Sequence, residues 1–499
     1  MKKHLSNKLR EFFRLVNQAA LANPFSDERV NIDLKITGLP PDVTTEERIR
    51  RITVKVRRHI EHLETEWGTP LRLNHFTGQD REIIRSAFLF DFFHHFLADF
   101  DGLIMDQIKA GDVPVKLAFV QDAFALLDRR GFTHPASLYF LALCYQLRRA
   151  HYFIDQGLIG RSTCIKKLRR SLWNNVFTHN LEIYDRHLWN RMEDFSTMLL
   201  GETGTGKGAS ANAIGRSGFI PFDENKQCFV ESFSRSFVSL NLSQFTETLI
   251  ESELFGHKKG AFTGATENRP GVFDLCSPHG AIFLDEIGEV RSSVQIKLLR
   301  VLEERVFYPV GSYTARRFDG RIIAATNRPF NELHPQGLLR DDFFYRLCSD
   351  MIIVPPLRQR IREDLGELDD LLNFTVTRIL GKPSPTLTQM TKSVIMKQLG
   401  KHYEWPGNVR ELGQCVRRIL LNRSYIQPEL QKTKQPDNST LALKMEAGRI
   451  NAQRLLQGYC HRLYERYGAY SEVARRTELD RRTVKKYILE WDKSVEKWG

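Results

Sequence analysis

The spacing of apolar residues divides the chain into regions with two different periods. Over roughly the first 150 positions they recur three and four apart, as in Ile49, Ile52, Val56, Ile60 and Leu63, which would line one helical face. Thr44-Thr45-Glu46-Glu47, just ahead, reads as a capping box that opens this helix. Further helices are expected over 81–105 and 116–130, both rich in Phe and Leu. Asp91, His94, His95, Asp99 and Asp101 crowd the first of these and have the side chains of a metal site. Phe88, Phe92, Phe96 and Phe100 at helical spacing favour instead a buried stripe with polar residues around it. From about Gly157 short apolar runs alternate with helical patterns, as in an α/β domain with a parallel sheet. Strands are expected at 197–200, 237–240, 281–284, 322–325 and 351–354. Pro355-Pro356 ends the last, and a helical section follows to about 422. Residues 427–440, with two prolines and little apolar periodicity, read as a linker. Beyond it one helix over 441–467 and two shorter ones over 471–491 are expected.

Composition narrows the partners. The 499 residues allow about three domains, and a net charge of +13 favours a polyanion, either nucleic acid or an anionic surface. The seven cysteines are scattered without a CxxC pair, which argues against a zinc site or a disulfide framework and suits a reducing cytoplasm. No run of about 18 apolar residues occurs, so a cytoplasmic, non-membrane protein is expected.

The strongest chemistry follows the strand at 197–200. Gly201-Glu202-Thr203-Gly204-Thr205-Gly206-Lys207 lies between that strand and a helix starting near Ala209. A glycine turn there aims backbone N–H groups at a phosphate chain, and Lys207 adds a point charge for the outer phosphates. Gly208 stands where Ser or Thr usually touches the metal, so magnesium would lean on other ligands or on water. The strand at 281–284 ends in Asp285-Glu286. In an NTPase the first acid holds magnesium, directly or through water, and the second polarises the attacking water. Asn327, at the end of the next strand, could sense the γ-phosphate or orient the water.

Residues 157–422 resemble the AAA+ domain of bacterial sigma-54-dependent transcription activators. The most specific match is Glu253-Leu254-Phe255-Gly256-His257 followed, after two lysines, by Gly260-Ala261-Phe262-Thr263-Gly264-Ala265. The residues alone describe a bendable loop presenting an aromatic ring and a hydroxyl. The resemblance implies a loop that rises from an ATPase ring and touches sigma-54 through Phe262 and Thr263. It also implies that Asn241 couples the catalytic glutamate to nucleotide state, and that Arg340 and Arg346, in Leu339-Arg340-Asp341-Asp342-Phe343-Phe344-Tyr345-Arg346-Leu347, are arginine fingers. Arg410, in Trp405-Pro406-Gly407-Asn408-Val409-Arg410-Glu411-Leu412, resembles the lid arginine that reads bound nucleotide. Leu158-Ile159-Gly160-Arg161-Ser162 resembles the segment near the adenine, which assigns Ile159 and Gly160 to nucleotide binding. The stretch 171–196 is longer than usual for the family, and the family commonly lacks a hydroxyl at the position of Gly208.

Residues 471–488 have the outline of a helix-turn-helix. Val473, Ala474, Leu479, Val484 and Ile488 would form its core, Asp480 would cap the second helix, and Arg481, Arg482, Lys485 and Lys486 lie on or near the outer surface. The segment resembles the Fis-type domains that end many of these activators, with Arg481 and Thr483 matching. Glu478 stands where a turn glycine is usual.

The expected architecture is a mostly helical N-terminal regulatory region (1–150), an α/β AAA+ P-loop NTPase layer with a parallel sheet (151–355), its helical lid (356–425), a linker (426–440) and an all-α helix-turn-helix domain (441–499). The expected function is ATP-driven activation of sigma-54 RNA polymerase, with ATP and Mg2+ as cofactors. The helix at 441–467 would dimerise the chain on upstream double-stranded DNA, and a ring, a hexamer, would hydrolyse ATP. The N-terminal region, which lacks the acidic pair and strand series of a phosphorylated receiver, would control ring assembly in response to an unknown signal. Two other classes compete: an AAA+ remodelling ATPase that does not act in transcription, and a non-hydrolysing DNA-binding repressor.

Overall fold

The structure, a computed structural model, describes residues 3–333, 338–425 and 450–495. The expected linker and residues 441–449 of the helix after it lie outside them. The chain divides into two compact units, Met1–Ser424 and Tyr425–Gly499.

Five parallel strands organise the first unit: β1 (Thr197–Leu200), β2 (Phe237–Asn241), β3 (Ala281–Asp285), β4 (Arg321–Thr326) and β5 (Asp350–Ile353), in the order β2-β3-β4-β1-β5. All five lie where the apolar runs put them, to within a residue or so at the ends. Alternation along the strands sends side chains to opposite faces. Leu199, Phe283, Ile323 and Ile352 join one core, and Met198, Leu200, Ile282, Leu284, Ile322 and Ala324 join another with helices Glu247–Phe255, Ser292–Glu304 and Asp341–Leu347. Because the strands are parallel, the loops that follow β1, β2, β3 and β4 gather on one edge, where ligands of such sheets bind.

The first core does not stop at the α/β layer. It runs from Leu5 through the N-terminal helices to Val354. The N-terminal region packs as expected in outline: Ile52, Val56, Ile60 and Leu63 are buried on Thr45–Trp67, and Phe88, Phe92, Phe96 and Phe100 are buried too. Two details differ. Thr44 caps its helix at Glu47 N, but the Glu47 carboxylate turns to Arg50 and Arg51 instead of closing the box. The stretch at 81–105 is two helices, Gly78–His95 and Leu97–Ala110, that meet at Phe96. Three of the polar residues there have structural partners: Asp91 takes Arg57, Asp101 takes Arg148, and His94 bonds the Phe90 carbonyl. Among the described residues no cluster of His, Cys, Asp and Glu is arranged to hold a metal.

The boundary expected at 150/151 falls inside the helix His134–Gly157. From that helix Arg149, fully buried, donates to the carbonyls of Arg216 and Gly218, and Gln146 donates to that of Ser217. These carbonyls follow the end of the helix Lys207–Gly215. The long stretch at 171–196 explains the rest of the joint. Its Asp185 takes Arg85 and Tyr139, and its buried Tyr184 bonds Gln146.

The lid comprises Leu357–Glu363, Gly366–Leu380, Pro385–Gln398 and Asn408–Asn422, packed around Leu368, Leu372, Val376, Ile395, Leu412, Val416 and Ile419. The second unit contains three described helices, Ala452–Tyr467, Tyr470–Thr477 and Arg481–Val495. The first begins at Ala452, where the Asn451 side chain caps it at Arg454 N.

Candidate nucleotide site and presenting loop

β1 runs into the glycine turn, and Lys207 opens the next helix with Gly206 as its N-cap in a left-handed conformation, φ 112°. Lys207 is 6% exposed, and its ammonium donates to the carbonyls of Gly201 (2.7 Å) and Glu202 (3.2 Å). Burial pushes its pKa down, while Glu286 and Asp285 across the sheet edge oppose that shift. A Cβ at Gly206 or Gly208 would meet nothing within 4 Å, so this side of the turn is open to a ligand.

Asp285 ends β3, and Glu286 follows in the left-handed region, φ 58°, a strained backbone of the kind concentrated at functional sites. One Glu286 carboxylate oxygen accepts the Asn327 N–H (3.2 Å), and the Asn327 amide donates to Thr203 Oγ1 (3.3 Å). The structure therefore brings the acid pair, Asn327 and the glycine turn to one edge. Asn241 is on that edge, opposite Asp285 in register, but its side chain caps the turn at Ser243 and is not hydrogen-bonded to Glu286.

The lid closes on the turn from the other side. Val409 N donates to the Gly204 carbonyl, and the exposed Arg410 has its Cβ beside Gly204. Sequence reasoning missed Asn408. It is fully buried at φ 52°, donates to Thr203 O (3.1 Å) and Glu202 (3.2 Å), and accepts Leu357 N (2.8 Å). Its place inside the 405–412 motif was the available signal. Glu202 is held by Arg358 as well as Asn408, and the Arg358 guanidinium holds its carboxyl below the usual range. Arg340 is exposed and paired with Asp342, and Arg346 donates to the Leu302 carbonyl within its own chain.

Beyond β2 the helix Glu247–Phe255 leads to the hexamer at 260–265. Lys258 N bonds the Val310 carbonyl, and Gly260 N bonds that of Ala265. Gly260 and Gly264 have φ of 81° and 99°, a turn that other residues reach only with strain. Ala265 is buried, Thr263 is exposed, and Phe262 is 37% exposed with its ring edge-on to His257 at 5.0 Å. In the second unit Val473, Val484 and Ile488 are buried, Arg481, Arg482, Lys485 and Lys486 are exposed, and Thr483 is half-buried. Asp480 caps the last helix at Arg482 N (2.8 Å). Glu478 closes the preceding helix in the left-handed region, φ 54°. Replacing it with glycine should relieve about 1 kcal/mol. Amide exchange over 470–488 should then slow about fivefold, if opening of this unit limits exchange.

Residues 181–352 match the sigma-54 interaction domain family. The chain is similar to the Nif-specific regulatory protein of Azotobacter vinelandii, 42% identical over 233 residues, which are 47% of this chain and 40% of that one. It is also similar to the DNA-binding transcriptional regulator NtrC of Azospirillum brasilense, 39% identical over 262 residues, 52% of this chain and 47% of that one. The solved structure of NtrX from Brucella abortus in complex with ATP aligns over 75% of this chain and 80% of its own, at 20% identity and a TM-score of 0.41. The chain thus spans less than half the length of these two curated relatives. The glycine turn, the acid pair and the hexamer are therefore carried by one parallel-sheet layer, and all three lie within the residues that match the sigma-54 interaction domain.

Proposed function

We propose that the chain binds and hydrolyses ATP and uses the cycle to drive the 260–265 loop against sigma-54 bound to RNA polymerase. The observation that carries this reading is the intact hexamer, with Thr263 exposed and Phe262 partly so, at the end of the helix leading from the Asn241 edge.

On this reading the 201–207 turn and Lys207 bind the phosphates and Glu286, oriented by Asn327 N–H, accepts a proton from the attacking water. Magnesium fits the donors present. A strand-end acid, Asp285, with no group of three His, Cys, Asp or Glu ligands among the described residues, suits an ion that keeps several waters and leans on phosphate oxygens. Bound there, it would neutralise phosphate charge. Arg340 and Arg346 would be supplied to a neighbouring copy in a ring, where such fingers contribute roughly 10³–10⁵ in rate. Arg346 would first have to leave Leu302. The C-terminal unit would place Arg481, Arg482 and Thr483 against DNA, with Lys485 and Lys486 on phosphates, and two copies would read a palindromic site. Regulation through the N-terminal region would reach the phosphate-binding helix by way of Arg149 and Gln146. No described helix is long and apolar enough to cross a membrane.

Thr263→Ala tests the loop. It should leave ATP hydrolysis within about twofold of the parent, because a surface substitution away from buried contacts changes stability little. It should abolish open-complex formation in a reconstituted sigma-54 transcription assay. Promoter opening at the parental level would refute the loop's role.

A further inference from the structure

The lid touches the nucleotide edge in a second place, one that the glycine turn does not involve. The segment at 157–162 starts beside the phosphate-binding helix, where a Cβ on Gly157 would lie 3.9 Å from the Ala209 carbonyl. It ends at Ser162, the N-cap of Thr163–Phe177, whose side chain makes no capping bond. The lid supplies the missing acceptors. Glu367, fully buried, accepts the N–H groups of Arg161 (2.6 Å) and Ser162 (2.9 Å), and Glu363 accepts that of Cys164 (2.7 Å). Arg360, also buried, donates to Glu367 (2.6 Å) and with its other arm to the Ile159 carbonyl (2.5 Å). Gly160 makes room for this. Its φ is 133°, and a Cβ there would lie 2.1 Å from a Glu367 oxygen. The glycine is thus required by the lid carboxylate, a need that the resemblance to an adenine-side segment does not reveal.

We propose that Arg360 and Glu367 are positioning residues for ATP. They fix the 158–162 segment to the lid, and so set the distance between lid and phosphate-binding turn at which nucleotide is held. The inference rests on reading 201–207 as the ATP site. A buried ion pair can often be replaced by neutral side chains without loss of stability, so a purely structural staple and a positioning device make different predictions.

The test uses the full chain carrying Arg360→Met with Glu367→Gln, compared with the parent for ATP KM, kcat and thermal melting. The KM should rise about tenfold, the worth of one charge-assisted hydrogen bond, with kcat within about twofold. Arg360→Lys keeps the charge balance, and with it the fold, but one ammonium cannot serve both Glu367 and the Ile159 carbonyl as a planar fork does. It should shift KM in the same direction. A parental KM in a folded variant, with only the melting temperature changed, would overturn the proposal. Failure of the parent chain itself to bind ATP would instead overturn the reading of the glycine turn.

Discussion

Deletion of residues 1–150 should give an insoluble chain and not a freed ATPase. The cut falls within His134–Gly157 and removes ring partners of Phe219, Trp189, Phe222, Phe229 and Trp173, which contact Tyr139, Phe124, Tyr145 and Phe25. Tyr184 loses Gln146, and the carbonyls of Arg216, Ser217 and Gly218 lose their donors. Burying a large apolar side chain is worth about 1.5–3 kcal/mol. Uncovering half of each of five such rings therefore removes on the order of 4–7 kcal/mol from a total of about 5–15. Expression followed by size-exclusion chromatography and circular dichroism reads the outcome. A soluble, folded fragment with parental ATPase activity would show that the N-terminal helices are a detachable domain. A milder variant, Arg149→Met, keeps the bulk while leaving two carbonyls unpaired, and should lower the melting temperature of the full chain.

This merging of regions was hidden in the sequence for a physical reason. Helical periodicity shows that a face is buried but not what covers it, and Phe92 or Phe100 would repeat identically in an independent bundle. The strands were legible because parallel strands are covered on both faces and read as short continuous apolar runs. The glycine turn and the acid pair were legible because phosphate and metal chemistry fixes residue type and spacing together. Asn408 and Glu367 were not, because their partners are about 205 positions away along the chain, and only the folded lid brings them to Thr203 and Ser162.

Two residues that the resemblance assigns to the site make other contacts within this chain. Asn241 and Arg346 stand where the family pattern puts them, yet one caps Ser243 and the other bonds Leu302. Side chains that act in a cycle or across a subunit boundary need not show their working partner in a single chain. Gly160 differs in kind, because its glycine is explained by the approach of Glu367 within this chain.

Lys207→Met should weaken ATP binding by about 100-fold or more, since charge-assisted hydrogen bonds contribute about 1.5–3 kcal/mol each and an ammonium reaching two phosphates makes two. Methionine keeps most of the aliphatic stem of this buried side chain, so the fold should survive. What is lost is the cation among the turn's own residues 201–207, whereas Arg410 is exposed on the lid. Burial depresses the Lys207 pKa, so the charged form is fully present at low pH and is lost as pH rises through a value below that of free lysine. In the parent chain ATP affinity should therefore fall at alkaline pH, and in Lys207→Met that part of the pH dependence should vanish. Isothermal titration from pH 7 upward reads both effects. Parental affinity in the variant would remove Lys207 from the site, and an unchanged alkaline limb would assign the titration to another group.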